Sequence, residues 1–205
     1  MARKSGSNGE KTRIAVEDAA SRLIARHGFA AVSMRQIARE VGVQAGALYL
    51  YTPDKQSLLY DLMRGHMEDL LDTWQTTAMP QDRPALDRLE QFTRFHIHYH
   101  IARAEKVFIA YMELRNLSPE NFAEVERLRR SYEQVVQDIL EAGVAEGACA
   151  PLDTRLTSLA LIAMLTGVST WYRDGGRLEP EAIADRYVDM TLRLVGARVA
   201  AGSGT

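Results

Sequence analysis

Helical periodicity runs through almost the whole chain and constrains the fold more than any other feature. Apolar residues recur at steps of three and four over 15–27, 59–74, 122–143, 156–171 and 183–194. No stretch alternates with period two for long, and no Asn-Gly or Asp-Gly pair joins β-branched runs. The prolines, Pro53, Pro80, Pro84, Pro119, Pro151 and Pro180, fall between the periodic stretches. Three of them follow a suitable N-cap, in Thr52-Pro53, Ser118-Pro119 and Glu179-Pro180, where a missing N–H leaves no intrahelical bond unmade. The fold class is therefore all-α, with roughly nine helices. Residues 1–9 and 198–205 lack the pattern and read as frayed ends.

A chain of 205 residues with 46% apolar and 25% charged residues can bury a substantial core without staples. Its single cysteine, Cys149, excludes a disulfide scaffold and fits a reducing compartment. It reads as a bystander in the turn over 147–151 rather than as a nucleophile. The first 13 residues are polar and basic with no apolar region behind them. The most apolar stretch, 156–172, is broken by Thr157, Ser158, Thr166, Ser169 and Thr170 and reads as a buried helix rather than a membrane span. A cytoplasmic protein with no membrane partner is expected.

The net charge of −2 conceals an asymmetry. Residues 1–64 carry ten Lys and Arg against six Asp and Glu, a balance of +4, while the remainder carries 15 against 21, a balance of −6. A basic front on an acidic body points to a polyanion met by the first third alone.

The most informative pattern lies over 33–55. Ser33 and Gln36 have capping-box spacing at the start of a short helix that turns Ile37, Ala38 and Val41 inward. Gly42 supplies the left-handed residue that ends it, and Val43 plugs the turn. A second short helix is expected over 44–51, with Ala47 and Leu48 inward. Two short helices joined by a glycine turn make a helix-turn-helix. Ala45 and Gly46 would let the backbone approach base edges, and Gln44 can pair bidentate with adenine. Tyr49 and Tyr51 can donate hydroxyls to phosphate, and Lys55 opens the next helix beside its exposed N–H groups. The same residues also suit a plain αα-hairpin, because Ala, Gly and Leu are ordinary packing residues.

Residues 12–59 resemble the N-terminal domain of the TetR family of bacterial transcriptional repressors. The resemblance rests on Ile14, Ala19-Ala20, Gly28-Phe29, Ser33-Met34-Arg35, Ile37-Ala38, Val41-Gly42-Val43, Gly46-Ala47-Leu48-Tyr49, Asp54-Lys55 and Leu58-Leu59. Gln44 stands where the family usually has Ser or Thr, and Thr52 where it has an aromatic residue, commonly Phe. The resemblance implies a homodimer on a near-palindromic double-stranded DNA operator, with the third helix in the major groove. It assigns base-edge contact to Gln44, Ala45 and Gly46, with Leu50 against a thymine methyl. It assigns phosphate anchoring to Ser33, Arg35, Tyr49, Tyr51 and Lys55, with a guanine contact as the other role for Arg35. The implied domains are a helix-turn-helix DNA-binding domain over 10–53 and a ligand-binding and dimerisation domain over 54–200.

The remainder has no nucleotide-binding glycine loop, no HExxH and no cysteine pair, and no cofactor is implied. Gly175-Gly176 reads as a turn between helices. His96 and His100 share a helix face at i, i+4, a spacing that can hold a metal, with Glu113 a third partner if the fold brings it near. The alternatives are a ligand pocket, core hydrogen bonds, or an all-α metal-dependent or hydrolytic enzyme. Phe95-His96-x-x-Tyr99-His100, Glu113-Leu114-Arg115, Arg129-x-x-Tyr132 and Trp171-Tyr172 ahead of Gly175-Gly176 resemble regulators of lipid and acyl-CoA catabolism. That resemblance implies a small-molecule effector, an acyl-CoA thioester, in an apolar tunnel. Phe92, Phe95, His96, Tyr99, Phe108, Tyr111, Met112, Ile162, Met164 and Trp171 are the candidate lining, and ordinary core packing is the alternative for each. Leu156, Leu159, Ala163 and Gly167 form a small-and-apolar stripe suited to a dimer face, which Ile183, Tyr187, Met190 and Leu194 can cover.

Overall fold

The computed structural model describes residues 6–197, and every regular element among them is helical. The order is α1 (Gly6–His27), α2 (Met34–Val41), α3 (Ala45–Leu48), α4 (Lys55–Thr77), α5 (Ala85–Ile101), α6 (Ala104–Met112), a 3-10 turn (Leu114–Asn116), α7 (Pro119–Ala145), α8 (Thr154–Thr166), α9 (Val168–Trp171) and α10 (Pro180–Leu194). The all-α expectation holds, with ten α-helices among the described residues because the four-residue α3 and α9 are separate elements.

Local chemistry sets most boundaries. Ser33 and Gln36 form the expected capping box, and Gly42 ends α2 at φ +77°. Pro180 sits in the first turn of α10, and the Asp153 side chain accepts from the Leu156 N–H at the start of α8. Thr52-Pro53 does not start α4. Asp54 does, its carboxylate accepting from the Ser57 N–H at 2.7 Å, while the Thr52 hydroxyl is buried and donates to the Asp54 carbonyl. The expected frayed start is corrected too, since the chain is helical from Gly6; residues 1–5 and 198–205 lie outside the described residues.

The chain forms two compact units that do not follow a division at residue 53. The first runs to Glu68 and adds Glu105–Glu126; the second comprises Asp69–Ala104 and the chain from Arg127 onward. In the first, Val16, Ala20 and Ile24 of α1 pack in one cluster with Ile37, Leu48, Leu59, Met63, Ile109 and Val125. In the second, α5 lies along α10 and meets α8 and α9. Its buried residues include Phe92, Ile97, Tyr132, Val136, Leu161, Leu165 and Ile183. The α5 N-terminus has no side-chain cap of its own, and the Glu146 carboxylate supplies one by accepting from the Ala85 N–H at 2.9 Å. Nearby, a Cβ on Gly143 would lie 2.7 Å from the Cys149 sulfur, so the bare glycine makes room for the buried thiol.

No helix among the described residues is long and apolar enough to cross a membrane. The expected buried helix over 156–172 is half exposed. Ser158, Leu161, Ile162 and Leu165 face inward, whereas Leu156 is 66% exposed and Leu159 and Trp171 are also open.

Candidate functional site

The short helices of the first unit present most of the expected DNA-contacting residues to solvent. Gln44, Gly46, Tyr49 and Leu50 are exposed, with Ala45 and Tyr51 half-buried around them. Leu48 is fully buried and anchors α3, while Leu50, two residues on, is 81% exposed. That contrast fixes which side of the turn faces outward. Helix α3 is shorter than the expected 44–51: it ends at Leu48, and Tyr49 to Tyr51 continue as a tight turn in which the Tyr51 N–H closes on the Leu48 carbonyl at 2.9 Å. The exposed Arg35 lies in the first turn of α2, beside the exposed Ser33 cap.

Lys55 departs from expectation. Its ammonium donates to the Phe29 and Val32 carbonyls, each at 2.8 Å, and stands 4.2 Å from the centroid of the Phe29 ring. It clasps the turn between α1 and α2, with two of its three donors already engaged. That clasp is a structural role, and it leaves one ammonium donor uncommitted. Sequence spacing gave no sign of this, because the partners are backbone carbonyls more than twenty residues earlier.

The same turn is held from a second direction. The Phe29 N–H donates to Glu113 Oε1 at 3.0 Å, and the Asn116 side-chain amide donates to Glu113 Oε2. Gln56, next to Lys55, donates its amide to the Asn116 carbonyl. Glu113 therefore belongs to the first unit, where its carboxylate is committed to neutral donors. From sequence, Glu113 is a candidate partner for the histidines and part of the Glu113-Leu114-Arg115 motif; nothing there points to Gln56 or Asn116.

In the second unit, the expected tunnel residues are partly gathered and partly scattered. The Phe92 and Phe95 rings lie 5.1 and 5.2 Å from Trp74, and Phe92 lies 5.3 Å from Tyr132. Tyr99 packs against Phe95 and donates its hydroxyl to Asp69 at 2.6 Å. Burial, followed by the Asp69 carboxylate, pushes that phenol's pKa far up, so it stays a donor. Ile162 is buried and Met164 half-buried on α8. Phe108, Tyr111 and Met112 belong to the first unit, with Phe108 and Met112 exposed, and Trp171 is 50% exposed. A cavity of about 430 Å³ in the second unit is lined by Trp74, Ala78, Met79, Gln81, Arg88, Gln91, Val135, Asp138, Ile139 and Ala142. None of the ten expected tunnel residues lines it; Trp74, which touches Phe92 and Phe95, borders it.

His96 and His100 are fully buried and stacked, with centroids 3.7 Å apart. The two His96 ring nitrogens lie 3.1 Å from the hydroxyls of Tyr132 and Thr166. His100 Nδ1 donates to the His96 carbonyl at 2.8 Å. With both His96 nitrogens engaged, the pair works as a core hydrogen-bond network. The lone cysteine is equally quiet: burial, then Glu146, raises its thiol pKa and keeps it protonated.

Known proteins match over most of the chain. Residues 17–62 match the family model of bacterial regulatory proteins, tetR family, and residues 82–195 match that of the tetracyclin repressor-like C-terminal domain. The HTH-type transcriptional repressor KstR2 of Rhodococcus jostii (strain RHA1) is 28% identical over 192 residues, covering 92% of each chain. A solved bacterial regulatory protein in the tetR family from Rhodococcus RHA1 superposes with a TM-score of 0.87 at 32% identity, covering 92% of this chain and 99% of that one. AibR, solved in complex with isovaleryl coenzyme A and operator DNA, shares the fold with a TM-score of 0.78 at 24% identity, covering 91% of this chain and 100% of its own. These relatives are regulators, and the alternative of an enzyme built on His96 and His100 is withdrawn. The chain belongs to the TetR family of bacterial transcriptional regulators, which bind DNA and are not enzymes.

Proposed function

We propose that this chain is a cytoplasmic repressor that grips a two-fold operator as a homodimer and releases it on binding an acyl-CoA thioester. The observation that carries the DNA side is the α3 surface, with Leu48 locked in the core and Gln44, Gly46, Tyr49 and Leu50 free in solvent. Gln44, Ala45 and Gly46 read base edges, Leu50 meets a thymine methyl, and Ser33, Arg35, Tyr49 and Tyr51 hold phosphates. Residues 10–53 do the reading and residues 54–200 sense ligand and dimerise, except that 54–68 and Glu105–Glu126 serve the reading side.

The dimer forms through α8 and α10. Leu156, Leu159, Ala163, Met190 and Leu194 are exposed there, an apolar face that a second copy can cover. Ile183 is buried inside the protomer and takes no part. The effector side lies at the aromatic wall of Trp74, Phe92 and Phe95 and the cavity beside it, whose volume falls within the usual range for small-molecule sites. AibR shows that this fold can hold an acyl-CoA and operator DNA.

The test is to select duplexes from a random pool with the full-length protein, then titrate acyl-CoA thioesters of varied chain length into the complex. A palindromic consensus and release by one chain-length class are expected. Ala163→Arg is expected to give monomers by sedimentation and to abolish protection of the palindrome. Gln44→Ala is expected to relax preference at one base pair per half-site, by about 1–3 kcal/mol. Selection of no duplex would defeat the DNA assignment, and release by another compound class alone would defeat the acyl-CoA assignment.

A further inference from the structure

We infer that Glu113 is a positioning residue for operator binding, a carboxylate lent by the α6 end that fixes the backbone from which the reading helices depart. The inference rests on the placement of α3 at DNA proposed above.

The turn between α1 and α2 is short and sharply bent, with Gly28 at φ +80°. Both backbone polar groups of Phe29, which lie on successive peptide planes, are gripped. The N–H goes to Glu113 and the carbonyl to Lys55, with the Val32 carbonyl as a second acceptor for the same ammonium. Glu113 is only 7% exposed, and its partner lies 84 residues away in sequence. Burying a carboxylate is expensive unless its oxygens are hydrogen-bonded, and here both are. What the carboxylate adds is direction: it accepts from one particular N–H and from the Asn116 amide.

The second grip closes the arrangement. Gln56 at the start of α4 donates to the Asn116 carbonyl, so the 3-10 turn is tied to the helix that follows the reading turn. Asn116, Glu113, Phe29, Lys55 and Gln56 thus form a ring through side chains and backbone around the root of α2. Ser33, which caps α2, lies four residues beyond Phe29. A tilt of the Phe29 peptide therefore moves α2, and α3 after it. Directing that peptide places α3 at the spacing that a two-fold site demands, about 34–36 Å between half-sites.

The test uses the full-length protein and the duplex selected by the wild type, compared with the same duplex carrying one extra base pair at its dyad. A variant that merely lowers the folded fraction weakens both duplexes by one factor and leaves their affinity ratio unchanged. Glu113→Ala is expected to cut the ratio about tenfold and to speed hydrogen exchange at the Phe29 amide by a similar factor, with Ile24 in α1 unaffected. Glu113→Gln keeps an acceptor for Phe29 and is expected to restore most of both. Asn116→Ala, which leaves the Phe29 bond in place, gives a smaller fall and serves if Glu113→Ala does not fold. An unchanged ratio with unchanged Phe29 exchange would overturn the inference. An unchanged ratio with faster Phe29 exchange would overturn it equally, whereas a wild type that selects no duplex would overturn the DNA assignment and leave the clasp as structure alone.

Discussion

Two clusters of polar side chains, one in each compact unit, are used in opposite ways. In the first, Lys55, Gln56, Glu113 and Asn116 bond mainly to backbone atoms, and so dictate the path of a turn. In the second, His96, Tyr132 and Thr166 bond to one another inside a wall of rings, and so satisfy their own polarity. A unit that must present a few short helices at a fixed angle gains from side chains that grip backbone. Aromatic surface that few polar groups interrupt is, by contrast, the kind of wall that lines small-molecule sites.

The contrast can be broken most forcibly at His96. His96→Leu removes both ring-nitrogen bonds at once and is expected to cost about 2–4 kcal/mol of stability, read as a fall in denaturation midpoint. Zinc added to or chelated from the wild type is expected to leave the midpoint unchanged, which separates a hydrogen-bond role from a metal site. Lys55→Ala comes next. It is expected to cost about 2 kcal/mol of stability while leaving the log–log salt slope of DNA binding unchanged. A slope flattened by about 0.9 units would return Lys55 to the phosphate backbone. The smallest effect is expected at Ser33→Ala, about 1 kcal/mol from the lost cap of α2, measurable by chemical denaturation.

Legibility in the sequence followed the range of the interaction. The α2 cap, its Gly42 stop, the buried Leu48 and the Pro180 start of α10 all depend on residues within a few positions, and local pattern reading found them. The exposure of Gln44, Gly46, Tyr49 and Leu50 follows from the same local geometry. The Lys55 clasp is not legible because an ammonium in the first turn of a helix suits phosphate and carbonyl oxygen equally, and only the folded backbone brings the Phe29 and Val32 carbonyls within reach. The grouping of the candidate tunnel residues is not legible for a related reason. Helical periodicity marks Phe108 and Met112 as apolar, but does not say which unit they join. Thr52, standing in place of the family's aromatic residue, is accommodated by burying its hydroxyl on the Asp54 carbonyl.

The interleaving of the two units also bears on how the chain is made. A chain leaving the ribosome delivers α1 to α4 first, yet Ile109 and Val125 belong to the same buried cluster as Ile24 and Leu48. At bacterial elongation rates, the stretch from residue 68 to residue 126 takes roughly 3–12 s to synthesise. For that interval the nascent reading helices carry an apolar face with no cover, and the intervening Asp69–Ala104 belongs to the other unit. The DNA-binding half is therefore begun first and completed late, so a transcript truncated before Glu126 yields a sticky fragment rather than a small working repressor.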